Sequence, residues 1–368
     1  MTHKLVYPDY ENCLTNVTCS IMKHFGLEPP HKTLPFVDAL LAKNYENVIM
    51  MVFDGMGEVI VKNNLPADSF LVTHIEHCVT SVFPSTTTAA TSSLRTGLNP
   101  CEHGRVGYHT YMQKLDKVVT LFKNVVRYTE EPAAPYNVME TLLPTEDVTS
   151  KINRAGKYKA YSFFPFGDNA YEDLAAMGEG IQKLCRQAGK KYIYAYHIEP
   201  DSTMHDKGTD APEAVAWMEK INSFVEDLAP KLHNTLIIIL ADHGHLNSKE
   251  TDIKEDYPDL AALIEFTSME SRACAFHVKP ENRQAFAEKF AQLFGRDYIL
   301  MTKEEVLKSG LFGDGEPCAN FEASLGDYLA IAVSDKYLEY QKRDEPMLSH
   351  HAGLVYDEMS VPLIIVEK

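Results

Sequence analysis

Val48-Ile49-Met50-Met51-Val52-Phe53-Asp54-Gly55 is an unbroken apolar run closed by an acid and a glycine. A run of this kind, with no polar alternation, suits a strand buried on both faces, as strands of a parallel sheet are. Its carboxyl end presents Asp54, and open α/β sheets hold their ligands at that edge. The pattern recurs along the chain. Residues 192–197 read as a strand that delivers Glu199-Pro200-Asp201, and residues 236–240 as a strand that delivers Asp242-His243-Gly244-His245. The aromatic, alternating stretch 158–164 reads as a further strand. Helical spacing at 171–188 and 211–228, the latter with Pro212 near its first turn, supplies the intervening layers. Repeated strand-then-helix predicts an α/β fold, a three-layer sandwich around a mostly parallel central sheet.

Smaller elements fill the rest. Residues 36–43 and 136–143 read as short helices and 118–126 as a strand or extended pair. Beyond residue 246 the alternation changes character: strand 274–278, helix 280–293 and strand 298–301 make a compact α+β unit. The expected division is a core of 1–246 and 326–368 carrying an inserted subdomain at 247–325. Strands at 328–333 and 362–366 are expected to rejoin the main sheet.

Composition narrows the function. The 368 residues suffice for a large core, and the net charge is −17 with no basic stretch. A phosphate-backbone binder carries a basic footprint, so nucleic acid is not expected as a structural partner. An acidic chain still acts on phosphate esters when bound cations supply local positive charge. The seven cysteines are scattered, with no CxxC pair, which argues for a reducing compartment and against a disulfide framework. The N-terminal residues lack an apolar signal core, and no apolar run approaches a membrane span. A cytoplasmic protein with no membrane partner is the expectation.

The hydroxyl cluster Ser85-Thr86-Thr87-Thr88 follows the apolar stretch 79–83, which reads as a strand, and opens a helical pattern that stops at Gly97. Ser and Thr at such a turn serve as helix caps. The same turn suits a nucleophile, because the N–H groups of a first helical turn face an incoming anion. The acids and imidazoles elsewhere weigh toward the second reading. Asp54, Asp201 with His205, Asp242 with His243, and His350-His351 all fall at strand ends or before the last strand. Each alone has an ordinary explanation as a turn, cap or loop. Together at one sheet edge they form a mixed carboxylate–imidazole set suited to a borderline cation such as Zn2+. Three Asp and three His make two sites, and two cations about 3.5–4 Å apart can clamp an in-line displacement at phosphorus.

Phe83-Pro84-Ser85-Thr86-Thr87, Thr96-Gly97-Leu98 with His103-Gly104, Pro200-Asp201 with His205, Ala241-Asp242-His243-Gly244 and the late His351 resemble the alkaline phosphatase superfamily. Within it they are most similar to the nucleotide pyrophosphatase/phosphodiesterase branch. The resemblance spans residues 47–104 and 192–244 and the C-terminal 20 or so residues. It implies that Asp54, Asp242 and His243 hold one divalent cation and Asp201, His205 and His351 the other, with Zn2+ the matching ion. It implies that Thr87 is the nucleophile at the first. His351 is preferred to His350 because Ala352-Gly353 follows it, close to the family's His-Gly-Gly turn, from which Ala352 departs. Where the branch often places an Asn after His-Gly, this chain has Tyr108, with Arg105 near; both are carried as substrate-binding candidates. His245 is read as a supporting residue outside the ligand set.

The implied activity is hydrolysis of phosphodiester or pyrophosphate bonds of a small-molecule phosphate ester through a phosphothreonine intermediate. Phosphomonoester or phosphonate hydrolysis on the same core, and a non-catalytic metal-stabilised nucleotide-binding domain, are the alternatives. A sulfatase is excluded, since Thr87 cannot become a formylglycine.

Overall fold

The computed structural model describes residues 3–167, 170–341 and 346–368. Strands in the first half of the chain run at Asn47–Phe53 (β1), Ile75–Thr80 (β2), His109–Met112 (β3), Lys117–Thr120 (β4), Val125–Val126 (β5), Lys159–Phe163 (β6) and Lys191–His197 (β7). The second half adds Thr235–Leu240 (β8), Leu246–Asn247 (β9), Lys249–Asp252 (β10), Phe266–Met269 (β11) and Ala273–His277 (β12). It continues with Tyr298–Thr302 (β13), Tyr328–Ala332 (β14), Lys336–Glu339 (β15), Ser349–His350 (β16) and Ser360–Glu367 (β17).

The main sheet has the order β2-β17-β8-β1-β7-β6. β1 is its centre, parallel to β7 and β8, and β6 is parallel to β7. Every residue of β1, β7 and β8 is buried, as unbroken apolar runs require. The expectation of a mostly parallel sheet needs correction. β17 runs antiparallel to both β8 and β2, so the sheet is mixed. An apolar run reports burial and not direction, and Val361 to Val366 are as buried as any parallel strand. Helices flank the sheet in two groups. Leu14–His24 packs on Pro35–Leu41 and Thr87–Thr96, while Pro212–Leu228 packs on Glu58–Asn64, Phe70–Thr73 and Leu174–Cys185. The architecture is an α/β sandwich of the alkaline phosphatase kind.

A second sheet, in the order β13-β14-β12-β11-β3-β4-β5, is antiparallel throughout. β14 was expected in the main sheet; it pairs with β12 and β13 instead. Its alternate faces enter two separate cores, Leu329 and Ile331 in one and Ala330 and Ala332 in the other. No helix among the described residues is long and apolar enough to cross a membrane.

Parallel register does the positioning. Phe53 is level with His197, and Val52 with Leu240. The residues that follow β1, β7 and β8 therefore emerge at one edge. Asp54 N bonds His197 O at 2.9 Å and Asp201 N bonds Asp54 O at 3.1 Å, tying the first two strand ends together. The third is tied by Gly55 N donating to Asp242 Oδ1 at 3.1 Å.

Candidate metal centre and active site

Asp54, Asp242 and His243 form the first pocket, their donor atoms within 4.8 Å of one another. All three side chains are buried. Asp242 Oδ1 accepts from the backbone N–H of Gly55 and of His243, the latter at 3.0 Å, while its Oδ2 is buried with no hydrogen-bond partner among the described residues. Asp54 Oδ2 accepts from the Tyr196 hydroxyl. His243 Nε2 sits 3.3 Å from Asp54 Oδ1 and 3.5 Å from Asp242 Oδ2. Gly244 must be glycine for this loop to pack. A Cβ there would lie 2.0 Å from the Asp357 carbonyl oxygen.

Thr87 is the first residue of the helix Thr87–Thr96, which ends at Gly97 with φ +76°. Its Oγ1 is 3.2 Å from His243 Nε2 and 3.3 and 3.4 Å from the two Asp54 oxygens. The neighbouring hydroxyls point elsewhere. Thr86 donates to Glu270 Oε1 at 2.8 Å, and the Thr88 hydroxyl is buried with no hydrogen-bond partner among the described residues.

The second pocket collects Asp201, His205, His351 and also His245. Asp201 and His205 are one turn apart on the helix Asp201–Lys207, so they share a face. Asp201 Oδ1 lies 3.5 Å from His205 Nε2, 3.8 Å from His351 Nε2 and 2.5 Å from His245 Nε2. His351 stacks on His243 with ring centroids 3.8 Å apart, so the two pockets adjoin. His350 lies outside the donor set, bonded to Ser248, stacked on the Tyr337 ring and edge-on to His205. Ala352 holds φ +92°, a backbone state glycine adopts freely, which accounts for the Gly in the resembled turn.

Electrostatics make the fit to cations specific. Burial, and then the charges of Asp242 and Asp201, push the Asp54 carboxyl well above its ordinary range. Burial likewise raises Asp242. Burial would also raise Asp201, but His205 and His245 beside it outweigh this and hold it below the usual range. Buried carboxylates this close need positive charge between them. The orphaned Asp242 Oδ2 and the converging imidazole nitrogens are donors for it. Two donor sets able to hold divalent cations are therefore present.

Residues 48–351 match the model of the family described as type I phosphodiesterase/nucleotide pyrophosphatase. The chain belongs to this family. Murine ectonucleotide pyrophosphatase/phosphodiesterase 5, in an inactive form in complex with AMP, shares the fold with a TM-score of 0.65 at 17% identity, over 86% of this chain and 87% of that one. The human ectonucleotide pyrophosphatase/phosphodiesterase 5 gives 0.64 at 15% identity, over 86% and 87%. Phosphonoacetate hydrolase from Sinorhizobium meliloti 1021, in complex with phosphonoformate, gives 0.63 at 16% identity, over 88% and 90%. At such identities the likeness establishes the fold. No curated protein matches the sequence.

Family, fold and the two donor clusters make this type I phosphodiesterase-family chain a metal-dependent phosphoester hydrolase of the alkaline phosphatase superfamily. The expectation of a cytoplasmic protein is overturned. The murine and human structures with this fold are named as ecto-enzymes, and seven free cysteines do not assign a compartment.

The six expected acids and imidazoles and Thr87 are brought together. Arg105 is not. Its guanidinium bonds the Leu143 carbonyl at 3.0 Å and Ser92 Oγ at 3.5 Å, neither of which belongs to the pockets. The cause is His-Gly backbone geometry: Gly104 has φ +66°, and Arg105 N turns back onto His103 Nδ1 at 3.1 Å. Tyr108 stays near the nucleophile through Glu270, whose Oε1 accepts from Tyr108 N at 2.6 Å as well as from Thr86. Sequence reading missed Glu270 and Tyr196, which carry no local signal, and did not foresee that His245 meets Asp201. The adjacency of His243-Gly244-His245 was the available sign.

Proposed function

We propose that this chain hydrolyses phosphodiester or pyrophosphate bonds of nucleotides or related small molecules, with Thr87 as nucleophile and a phosphothreonine intermediate. The observation that carries the reading is the Thr87 hydroxyl within 3.2–3.4 Å of both His243 and Asp54 at a helix N-terminus. Asp54, Asp242 and His243 would hold one cation and Asp201, His205 and His351 the other, with Zn2+ favoured by the mixed donors. When bound, the cations lower the pKa of attacking oxygens and neutralise charge on phosphate.

Thr87 Oγ1 forms a bond to phosphorus as the bond to the leaving alcohol or nucleotide breaks. The leaving oxygen takes up a proton and the threonine proton is lost to solvent. Water then adds to phosphorus as the Oγ1–P bond breaks, a proton returning to Oγ1, so the net change is water across one P–O bond. Glu270 fixes the turn before the helix through Thr86, keeping Thr87 facing the acids. Tyr108 borders the same turn and is a substrate contact in this reading. The segment 247–325 is an inserted unit on the core of 1–246 and 326–368, and with β3 to β5 and β14 it builds the sheet that brings Glu270 over the nucleophile.

The test compares bis(p-nitrophenyl) phosphate, p-nitrophenyl phosphate and phosphonoacetate as substrates for the wild type and for Thr87→Ala. The diester is the best substrate in this reading, and Thr87→Ala lowers its turnover by at least about a thousandfold while keeping both cations. Surviving diester turnover in that variant refutes the nucleophile. Preference for phosphonoacetate replaces P–O with P–C cleavage.

A further inference from the structure

We propose that His245 is a fourth protein donor to the second cation, so that the two pockets are unequal: four protein donors in one, three in the other. The inference rests on the two-cation reading above and adds a residue to it.

Hydrogen positions carry the case. His205 Nδ1 lies 2.8 Å from the Ser349 carbonyl oxygen, and His351 Nδ1 lies 3.0 Å from the Ser85 carbonyl oxygen. A carbonyl only accepts, so both Nδ1 atoms carry hydrogen, and in the neutral rings that bind a cation both Nε2 atoms present a bare lone pair. His245 Nδ1 lies 3.0 Å from Ser349 Oγ. The Ser349 hydroxyl hydrogen is donated to the Met204 carbonyl at 2.7 Å. Ser349 Oγ therefore accepts from His245 Nδ1–H, and in the neutral ring His245 Nε2 is bare as well.

Three lone pairs thus converge on a carboxylate oxygen, at 2.5, 3.5 and 3.8 Å from Asp201 Oδ1. Four acceptors at these separations repel unless a positive charge lies among them. The closest of them is His245. The plain alternative makes His245 a hydrogen-bond donor that orients Asp201. As a neutral ring it would need the hydrogen on Nε2, with Nδ1 accepting from Ser349, whose hydrogen is already committed to Met204; as an imidazolium it would donate from both nitrogens, at the cost of placing a charge on a fully buried ring.

The fold makes room for this ring. Gly55 has φ +70°, and a Cβ there would come within 2.9 Å of His245 Cδ2 and 3.1 Å of Asp201 Cβ. The His245 side chain is fully buried, and each of the three imidazoles has its far nitrogen anchored, which fixes rings for metal. Four protein donors would hold a cation at the second pocket, against three at the Asp54, Asp242 and His243 pocket. With the larger donor set, the second pocket fills first and holds its ion longest.

The test counts metal per chain by mass spectrometry after dialysis of the zinc-loaded protein against graded chelator. Wild type, His245→Ala, the bulkier His245→Gln and the first-pocket control Asp242→Asn are compared, each checked for folding by near-ultraviolet circular dichroism. Wild type gives two zinc ions lost in two stages. Asp242→Asn keeps the tight stage, while both His245 variants weaken it at least about tenfold. Unchanged tight-stage affinity in a folded His245 variant overturns the assignment. A wild type that binds one ion, lost with His245, supports the assignment and refutes the two-cation reading. A wild type that binds none overturns both.

Discussion

Replacing Arg272 with methionine tests how the turn that carries His351 is held. Arg272 and Glu358 are both fully buried. Arg272 Nε and Nη2 each reach a Glu358 oxygen at 2.7 Å, and Nη1 donates to the carbonyls of Ser334 at 2.9 Å and Lys336 at 2.6 Å. The same carboxylate accepts from Gly353 N at 2.7 Å and Val355 N at 3.1 Å, so it clamps the backbone just past His351. Arg272→Met strips the countercharge from a carboxylate that cannot reach water and leaves two carbonyls open. Breaking one half of such a pair costs about 3–5 kcal/mol, a large part of the roughly 5–15 kcal/mol that holds a domain folded. Adding Glu358→Gln to Arg272→Met removes the stranded charge. The double variant is therefore less destabilised than the sum of the two single variants, by about 2–3 kcal/mol. Urea unfolding in chelator, followed by fluorescence of the single tryptophan, Trp217, measures all three variants. Metal counting on the folded proteins then reads the second pocket, which loses affinity as the turn loosens. A cost below about 1 kcal/mol for Arg272→Met, or strict additivity of the singles, refutes the clamp.

Gly244→Ala drives a Cβ to 2.0 Å from a backbone oxygen and displaces His243 and His245 together; titration should show weaker zinc binding at both pockets, with a stability loss of about 1–3 kcal/mol. Divalent cations stabilise the native chain by linkage, about 2.7 kcal/mol per site at a hundred times Kd, so the thermal midpoint should climb with zinc and fall with chelator. Burial opposes ionisation of Glu58, but hydrogen bonds from Lys62, Ser360 and Tyr356 hold it down at about 2. A depressed folded pKa stabilises above the unfolded value of 4.5 and stops doing so as pH falls toward 2. Glu58→Gln in chelator should therefore be less stable than wild type at pH 7 by about 1 kcal/mol, a gap that closes between pH 4.5 and 2 in urea titrations.

The sequence by itself determined the principal strands β1, β6, β7 and β8, the main helices between them, and which side chains would stand at those strand ends; it put a strand at 79–83 where β2 ends at Thr80, and did not mark β3, β11 or β15. Burial on both faces demands unbroken apolar runs, so β1, β7 and β8 and the acids that follow them were legible from local composition. The helix bearing Thr87 was legible from its hydroxyl-rich start and its Gly97 stop. Tertiary structure alone decided direction and partnership. Nothing local tells β17 to run antiparallel or β14 to join the second sheet, because the same apolar pattern satisfies either neighbour. Arg105 and His245 make the same point for chemistry. One sits near the motif in sequence and folds away to Leu143; the other, read as a bystander, meets Asp201 across a gap of 44 residues. Period and polarity are local properties that a chain carries in its sequence, whereas which nitrogen faces which carboxylate depends on packing between segments that meet only after folding.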